Sequence, residues 1–219
     1  MKIGFIGYGS MTTALAGKWV GRHEVLIGGR DAGKAQTLAE SLGHGTAWGS
    51  EADAAAFGEV VVLATRHEAV FGAIEAAGGA QAFDGKVVLD INNPVSIDTF
   101  LVQPMGGPSL AHAIQTRLPT ARVVKGFNMC QAKVWAMPDP VFDGRRLQVL
   151  ICGDSDPAKT AVSGLVRDVG CEPLDLGGLQ FAPHLEHAAA IVIRFLFGGR
   201  DPLTVLNLVD AGGPAGPAA

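Results

Sequence analysis

The chain has 219 residues with a formal net charge of −4, and is 48% hydrophobic and 17% charged, which excludes an intrinsically disordered protein and leaves enough length for a buried core. No basic block interrupts it, so nucleic acid and membrane surfaces give way to a small molecule as the expected partner. Three cysteines, Cys130, Cys152 and Cys171, lack Cys-x-x-Cys spacing, which indicates neither a disulfide framework nor a metal site and fits a reducing, cytoplasmic setting.

Met1-Lys2 runs directly into an apolar stretch, without the pattern of a signal peptide. From there, short β-branched runs alternate with segments of helical period. Strands are expected at residues 3–6, 25–28, 46–48, 60–64, 87–91, 122–126, 147–152 and 172–175. Helices are expected at residues 11–20, 32–42, 51–57, 68–77, 110–117, 157–169 and 183–197. Uncharged strands buried on both faces need helices on both faces, so the predicted fold is a doubly wound α/β, mostly parallel sheet. Residues 1–175 form the expected nucleotide-binding domain, residues 176–210 a small helical C-terminal subdomain lining the cleft, and residues 211–219 a disordered tail. The apolar run "AAAIVIRFLF" is broken by Arg194 and too short to span a bilayer. Its apolar face points to a homodimer or to packing within its own chain.

The opening "KIGFIGYGSMTTAL" places a glycine turn between a strand and a helix. Gly7 permits the tight turn, and Gly9 lets backbone approach a pyrophosphate at the helix's positive end. The third position of a Gly-x-Gly-x-x-Gly fingerprint holds Thr12, a position that packs helix on strand and need not touch phosphate. Thr12 is either a tolerated packing change or an extra phosphate hydroxyl. Tyr8 sits in the same turn and is poorly placed for acid catalysis.

The second strand ends in "IGGRDAGKA", with no carboxylate to hold a ribose 2′-OH. Arg30, with Lys34 one helical turn later, suits a 2′-phosphate, and Asp31 reads as the cap of the next helix. Alone, Arg30 and Lys34 would read as a solvated helix start; coupled to the glycine turn they point to NADP(H).

With "KIGFIGYGSM", "IGGRDAGKA", "VVLDINNPVS", "GPSLAHAIQTRLPTARVVKGFN" and "CGDSDPAKTAVSGLVRDVGCEPLDLGGL" in place, the chain resembles the NADPH-dependent coenzyme F420 reductase family over almost its whole length. The resemblance implies a Rossmann-type domain and hydride transfer between NADP(H) and a deazaflavin. It implies that Gly7, Gly9, Ser10, Met11 and Thr12 face the pyrophosphate, Gly29, Arg30 and Lys34 the 2′-phosphate, and Ala64 the middle of the cofactor. Asn93, Pro94 and Asn128 would lie near the nicotinamide. Strand-end position independently brings Thr65, Arg66, His67, Asn92, Asn93 and Asn128 to the cleft, although asparagines also serve to satisfy loop backbone.

Two features depart from the family. Ala64-Thr65-Arg66-His67 stands where Val-Pro and an aromatic residue are usual, and Arg66 either pairs with an anionic group in the cleft or reaches solvent. In "FAPHLEHAAAI", His184 and His187 share a helix face. They are either polar residues at a helix start or the proton donor that a small imine or carbonyl substrate would require. The readings are therefore an F420-linked NADP oxidoreductase, a reductase of a small imine or carbonyl compound, or an NADP(H)-binding sensor.

Overall fold

The computed structural model describes residues 1–200. The distal part of the expected C-terminal subdomain and the expected disordered tail, residues 201–219, lie outside the described residues. In chain order the elements are β1 (Lys2–Ile6), α1 (Ser10–Trp19), β2 (Glu24–Gly28), α2 (Ala32–Leu42), β3 (Ala47–Gly49), α3 (Glu51–Phe57), β4 (Val60–Leu63), α4 (Val70–Ala76), β5 (Val87–Asp90), α5 (Leu110–Arg117), β6 (Arg122–Lys125), α6 (Ala132–Trp135), β7 (Val141–Phe142), β8 (Arg145–Arg146), β9 (Gln148–Gly153), α7 (Asp156–Asp168), β10 (Glu172–Asp175) and α8 (Ala182–Phe197).

Eight strands form one sheet in the order β10-β9-β6-β5-β4-β1-β2-β3. The β1 strand pairs in parallel with both β2 and β4. The chain thus winds one way from β1 and then the other, and the crevice at that reversal is where such sheets bind ligands. The one antiparallel junction in this sheet joins β6 to β9, so β9 and β10 extend the sheet with reversed direction. The β7–β8 hairpin forms a separate two-stranded ribbon.

Strand periodicity divides the core into two layers. Ile3, Phe5, Val60, Val62, Leu89 and Val124 face one side with Leu15, Trp19, Ala35 and Leu165. Ile6, Val61, Leu63, Val88 and Val123 face the other with Ala54, Ile74, Leu110 and Ile114. Successive strand residues point to opposite faces, and both faces are covered, which is why the strand interiors are apolar and their charged residues stand at the strand ends. Leu179, Ala182 and Leu185 belong to the second layer, so the start of α8 is packed into the sheet's own core.

Local chemistry sets the helix starts. Ser50 and Asp53 close a capping box on α3. Ser155 caps α7, whose first turn carries Pro157. Trp19 anchors α1, stacking on Phe5 at 5.5 Å and donating its indole N–H to the Leu165 carbonyl at 3.0 Å.

Candidate functional site

The chain leaves β1 through Gly7 at φ +124°, where an added Cβ would lie 2.4 Å from the Ala64 carbonyl oxygen. Only glycine fits that conformation and that gap. Gly9 precedes α1 without a side-chain cap, and a Cβ there would meet nothing within 4 Å. The uncapped N–H groups of the first turn thus open on free space, the arrangement that receives a phosphate.

Thr12 lies behind this turn. It is fully buried, and its hydroxyl donates to the Gly7 carbonyl at 3.0 Å. Of the two readings of Thr12, this geometry favours the packing one: its hydroxyl locks the glycine turn to the helix from the core side.

A groove of about 630 Å³ runs outward from the turn, lined by Tyr8, Gly29, Arg30 and Ala64 and floored by Ala69, Gly72, Ala73 and Ala76 of α4 and its approach. The Tyr8 ring lies against Gly29, where a Cβ would stand 2.4 Å from a ring carbon. Arg30 is exposed at the rim. Asp31 accepts the Lys34 backbone N–H at 3.1 Å as the cap of α2, and that bond, helped by the Lys34 ammonium and opposed by burial, holds its carboxyl below the ordinary value. Lys34 itself, its ammonium 3.5 Å from Asp31, is not among the lining residues. Glu51, in the first turn of α3 and nearly buried, also lines the groove. Sequence reasoning missed it because Glu51 reads there as a helix-start carboxylate following Ser50.

Thr65, Arg66 and Glu68 line this groove and also a second cleft of about 520 Å³, so the two are continuous across the β1–β4 crevice. The second cleft is walled by Met11, Ile91, Phe127 and Ile193 and carries His67, Asn93 and Asn128. Phe127 adopts φ +56°, an uncommon conformation for a side chain of its size, as the chain leaves β6. Across the floor, Asn93 Nδ2 donates to the Asn128 carbonyl at 2.7 Å, and Asn128 Nδ2 donates to Asn93 Oδ1 at 2.9 Å and to the Leu185 carbonyl at 3.1 Å. Asn128 Oδ1 and Thr65 Oγ1 are left buried without a partner among the described residues. Buried polar atoms are rarely left so, and these two belong to residues that line the cleft.

Beneath the cleft lies a buried ion network that the sequence did not disclose. Lys125 Nζ stands 2.8 Å from Asp90 Oδ2 and 3.0 Å from Glu186 Oε1, and it also donates to the Asn92 carbonyl. Asp90 Oδ1 accepts from the Asn92 backbone and amide at 3.0 and 2.9 Å. Asn92 Nδ2 donates in turn to the Leu63 carbonyl at 2.8 Å. Glu186 Oε2 accepts the Leu110 N–H at 3.0 Å, at the start of α5. Burial alone would discharge Lys125, but the Asp90 and Glu186 carboxylates outweigh it and raise its ammonium above the usual lysine value. The network joins β5, β6, α5 and α8 below the Asn93–Asn128 floor.

The remaining candidate residues divide between the rim of the grooves and other parts of the structure. Ser10 opens on a different groove, shared with Lys18 and Lys133. Pro94 is buried and offers its carbonyl to the Gln103 N–H at 2.6 Å. Arg66 is 85% exposed with its guanidinium 3.3 Å from Glu68, on the rim common to both grooves. His184 and His187 are exposed and line neither groove. His187 Nδ1 lies 2.7 Å from the Pro183 carbonyl, and His184 stands beside the Phe181 ring. The residue of α8 that lines the cleft is instead Ile193, so this geometry lends the reading of the two histidines as cleft proton donors no support. Cys130 lines the second cleft, its thiol pushed up to about 11 by burial and by Cys171.

The strand order and the glycine turn at its reversal define a Rossmann-type dinucleotide-binding protein. Residues 2–94 match the family described as NADP oxidoreductase, coenzyme F420-dependent. A candidate F420-dependent NADP reductase from Arthrobacter sp. FB24 superposes with a TM-score of 0.81 at 30% identity, over 91% of this chain and 96% of that one. The chain belongs to this family of NADP oxidoreductases. Metalloreductase STEAP3 of Rattus norvegicus is 33% identical over 208 residues, 94% of this chain and 39% of that protein, so the chain spans well under half of the curated relative it matches. An imine reductase from Aspergillus terreus, in complex with NADPH4 and dibenz[c,e]azepine, has a TM-score of 0.62 at 21% identity over 90% of this chain and 60% of that one, a likeness of fold.

Proposed function

We propose that the protein transfers hydride between NADP(H) and a deazaflavin of the coenzyme F420 type. The observation that carries this reading is the single crevice formed by the two continuous grooves, with a phosphate-ready turn between an arginine-rimmed end and an apolar, amide-floored end. Gly7 makes the tight turn, with its own N–H spent on the Gly28 carbonyl at 2.8 Å, Gly9 and Met11 hold the pyrophosphate by backbone N–H groups, Arg30 meets the 2′-phosphate, and Tyr8 and Gly29 border the adenosine. Thr65, Asn93 and Asn128 orient the nicotinamide, with the orphaned Asn128 Oδ1 as an acceptor for an amide N–H. When bound, NADPH supplies the hydride.

What the chain itself supplies is position. Hydride transfer between two flat rings needs them stacked at the right distance and shielded from water, and no protein nucleophile. Met11, Ile91, Phe127 and Ile193 form apolar walls suited to a ring. Membership of an F420-linked family and similarity to a metalloreductase support reduction as the activity. The enzyme acts in the cytoplasm as a homodimer, a reading supported by the exposed Ile191 and Phe197 of α8 and tested by its mass in solution.

The test is spectroscopic. Purified protein mixed with NADPH and oxidised deazaflavin should bleach both chromophores in equal amounts. Turnover of cyclic imines or ketones with an inert deazaflavin would assign the alternative substrate class, and tight NADPH binding with no acceptor turned over would make the protein a sensor.

A further inference from the structure

We propose that His67 is the proton donor to the hydride acceptor, and that the acceptor is one that takes a proton on nitrogen as it takes hydride on carbon. This rests on the oxidoreductase reading above and adds to it a proton path that hydride transfer alone leaves open.

The proposal comes from elimination within the second cleft. Its titratable lining residues are Arg66, His67, Glu68 and Cys130. Arg66 is directed to solvent, and a guanidinium is no proton donor near neutral pH. The Glu68 carboxyl is held below its usual range by its own backbone N–H, with Arg66 and His67 helping against burial, so it is ionised and has no proton to give. The Cys130 thiol, pushed up to about 11, keeps its proton. Asn92, Asn93 and Asn128 from the β5 and β6 ends, and Met11 and Ile193 from α1 and α8, do not titrate. His67 is left, and imidazole is the side chain suited to exchanging protons near neutral pH.

Its placement suits the task. The His67 side chain is 14% exposed, and its Nε2 lies 3.6 Å from Glu68 Oε1, which is itself 54% exposed. His67 lines the cleft, and its Nε2 has beside it an ionised carboxylate that is open to water. The form that donates is the imidazolium, and Glu68 is a carboxylate beside it.

The step balances without any further reactant. Hydride, with two electrons, forms a C–H bond on the acceptor carbon and opens the conjugated double bond. The electron pair arriving on the acceptor nitrogen forms an N–H bond with the proton of the His67 imidazolium, and the N–H bond of His67 breaks. The neutral imidazole is then recharged from solvent past Glu68. A deazaflavin, reduced at a ring carbon and protonated at a ring nitrogen, fits this pattern, and so does a cyclic imine.

The experiment has two arms. In the first, His67→Gln and His67→Ala are compared with wild type, using NADPH with deazaflavin and with a cyclic imine. The proposal expects kcat to fall by about 100-fold, the lower range for a lost general acid, with NADPH affinity retained. It also expects the pH dependence of kcat to lose one limb, and free imidazole to restore rate to His67→Ala. A kcat and pH profile like those of wild type, or a loss that imidazole does not restore, would overturn it. The second arm needs no turnover and no variant enzyme to be active: the His67 imidazole C–H signal of the wild-type protein, identified by its absence in His67→Gln, should shift on saturation with NADP+ while those of His184 and His187 stay in place. No shift would place His67 away from the nicotinamide and overturn the proposal. A wild-type protein that binds NADPH but reduces neither acceptor would overturn the oxidoreductase reading and this proposal with it, whereas an active wild type with an unaffected variant would overturn this proposal alone.

Discussion

Lys125 and Glu186 meet 3.0 Å apart with neither side chain exposed, so the last described helix is tied to the central sheet by an ion pair at the base of the cleft. Breaking a buried pair by removing one partner leaves an uncompensated charge and costs about 3–5 kcal/mol. Lys125→Met, which leaves both Asp90 and Glu186 without their cation, should lower the urea midpoint accordingly. The same pair has a pH signature. The folded state raises the Lys125 pKa above its ordinary 10.5. Its contribution is therefore complete below the unfolded value and is lost as pH rises through the folded one. Wild type should lose stability across that alkaline window, and Lys125→Met should lack that component; equal slopes in urea titrations would contradict the assignment.

Gly7 and Gly9 should respond differently to the same added methyl group. Gly7→Ala meets both φ +124° and the Ala64 carbonyl at 2.4 Å, so it should lower Tm and abolish NADPH binding together. Gly9→Ala enters open space and should leave Tm within a degree or two, about the effect of a few tenths of a kcal/mol. Its NADPH affinity should nevertheless fall at least about tenfold, because the new methyl group occupies the phosphate position. Calorimetry with and without NADPH reads both.

Arg30→Ala should weaken NADPH by roughly 10- to 100-fold, the worth of a charge-assisted hydrogen bond to phosphate, and NADH by much less. Titration of both cofactors by fluorescence checks the ratio. Equal losses would mean that the 2′-phosphate lies elsewhere.

Thr12→Val keeps shape and removes the donor to the Gly7 carbonyl. Stability should fall by about 1–2 kcal/mol for a lost buried bond, and Thr12→Ser should restore most of it. A Thr12→Val variant that keeps its stability and loses only NADPH affinity would return the hydroxyl to the phosphate.

The sheet was readable from sequence because its strands are uninterrupted apolar runs, and the glycine turn because Gly7 has no substitute at its φ. Expected strands and helices lie within a residue or two of those observed, a margin set by fraying ends. The direction of β9 was not readable, since a strand's own residues do not encode whether its neighbour runs parallel. The α6 turn and the β7–β8 ribbon are too short to show a period. Lys125 and Glu186 each look like an ordinary charged residue in "RVVKGF" and "HLEHAA", and their pairing across the fold is a tertiary fact. That pairing also explains where His184 and His187 lie: the helix turns Glu186 into the core, which turns the two flanking histidines out to solvent.

The central claim, hydride transfer from NADPH into the β1–β4 crevice, is tested most directly with NADPH carrying deuterium at C4 and oxidised deazaflavin, followed by stopped-flow absorbance and mass analysis of the product. The account predicts direct transfer: equal amounts of NADPH and deazaflavin consumed, deuterium from one face of C4 recovered on the deazaflavin ring, and a slower rate for that isotopomer. Saturable NADPH binding with no reduced deazaflavin formed, or a product carrying hydrogen from water in place of the deuterium, would contradict it.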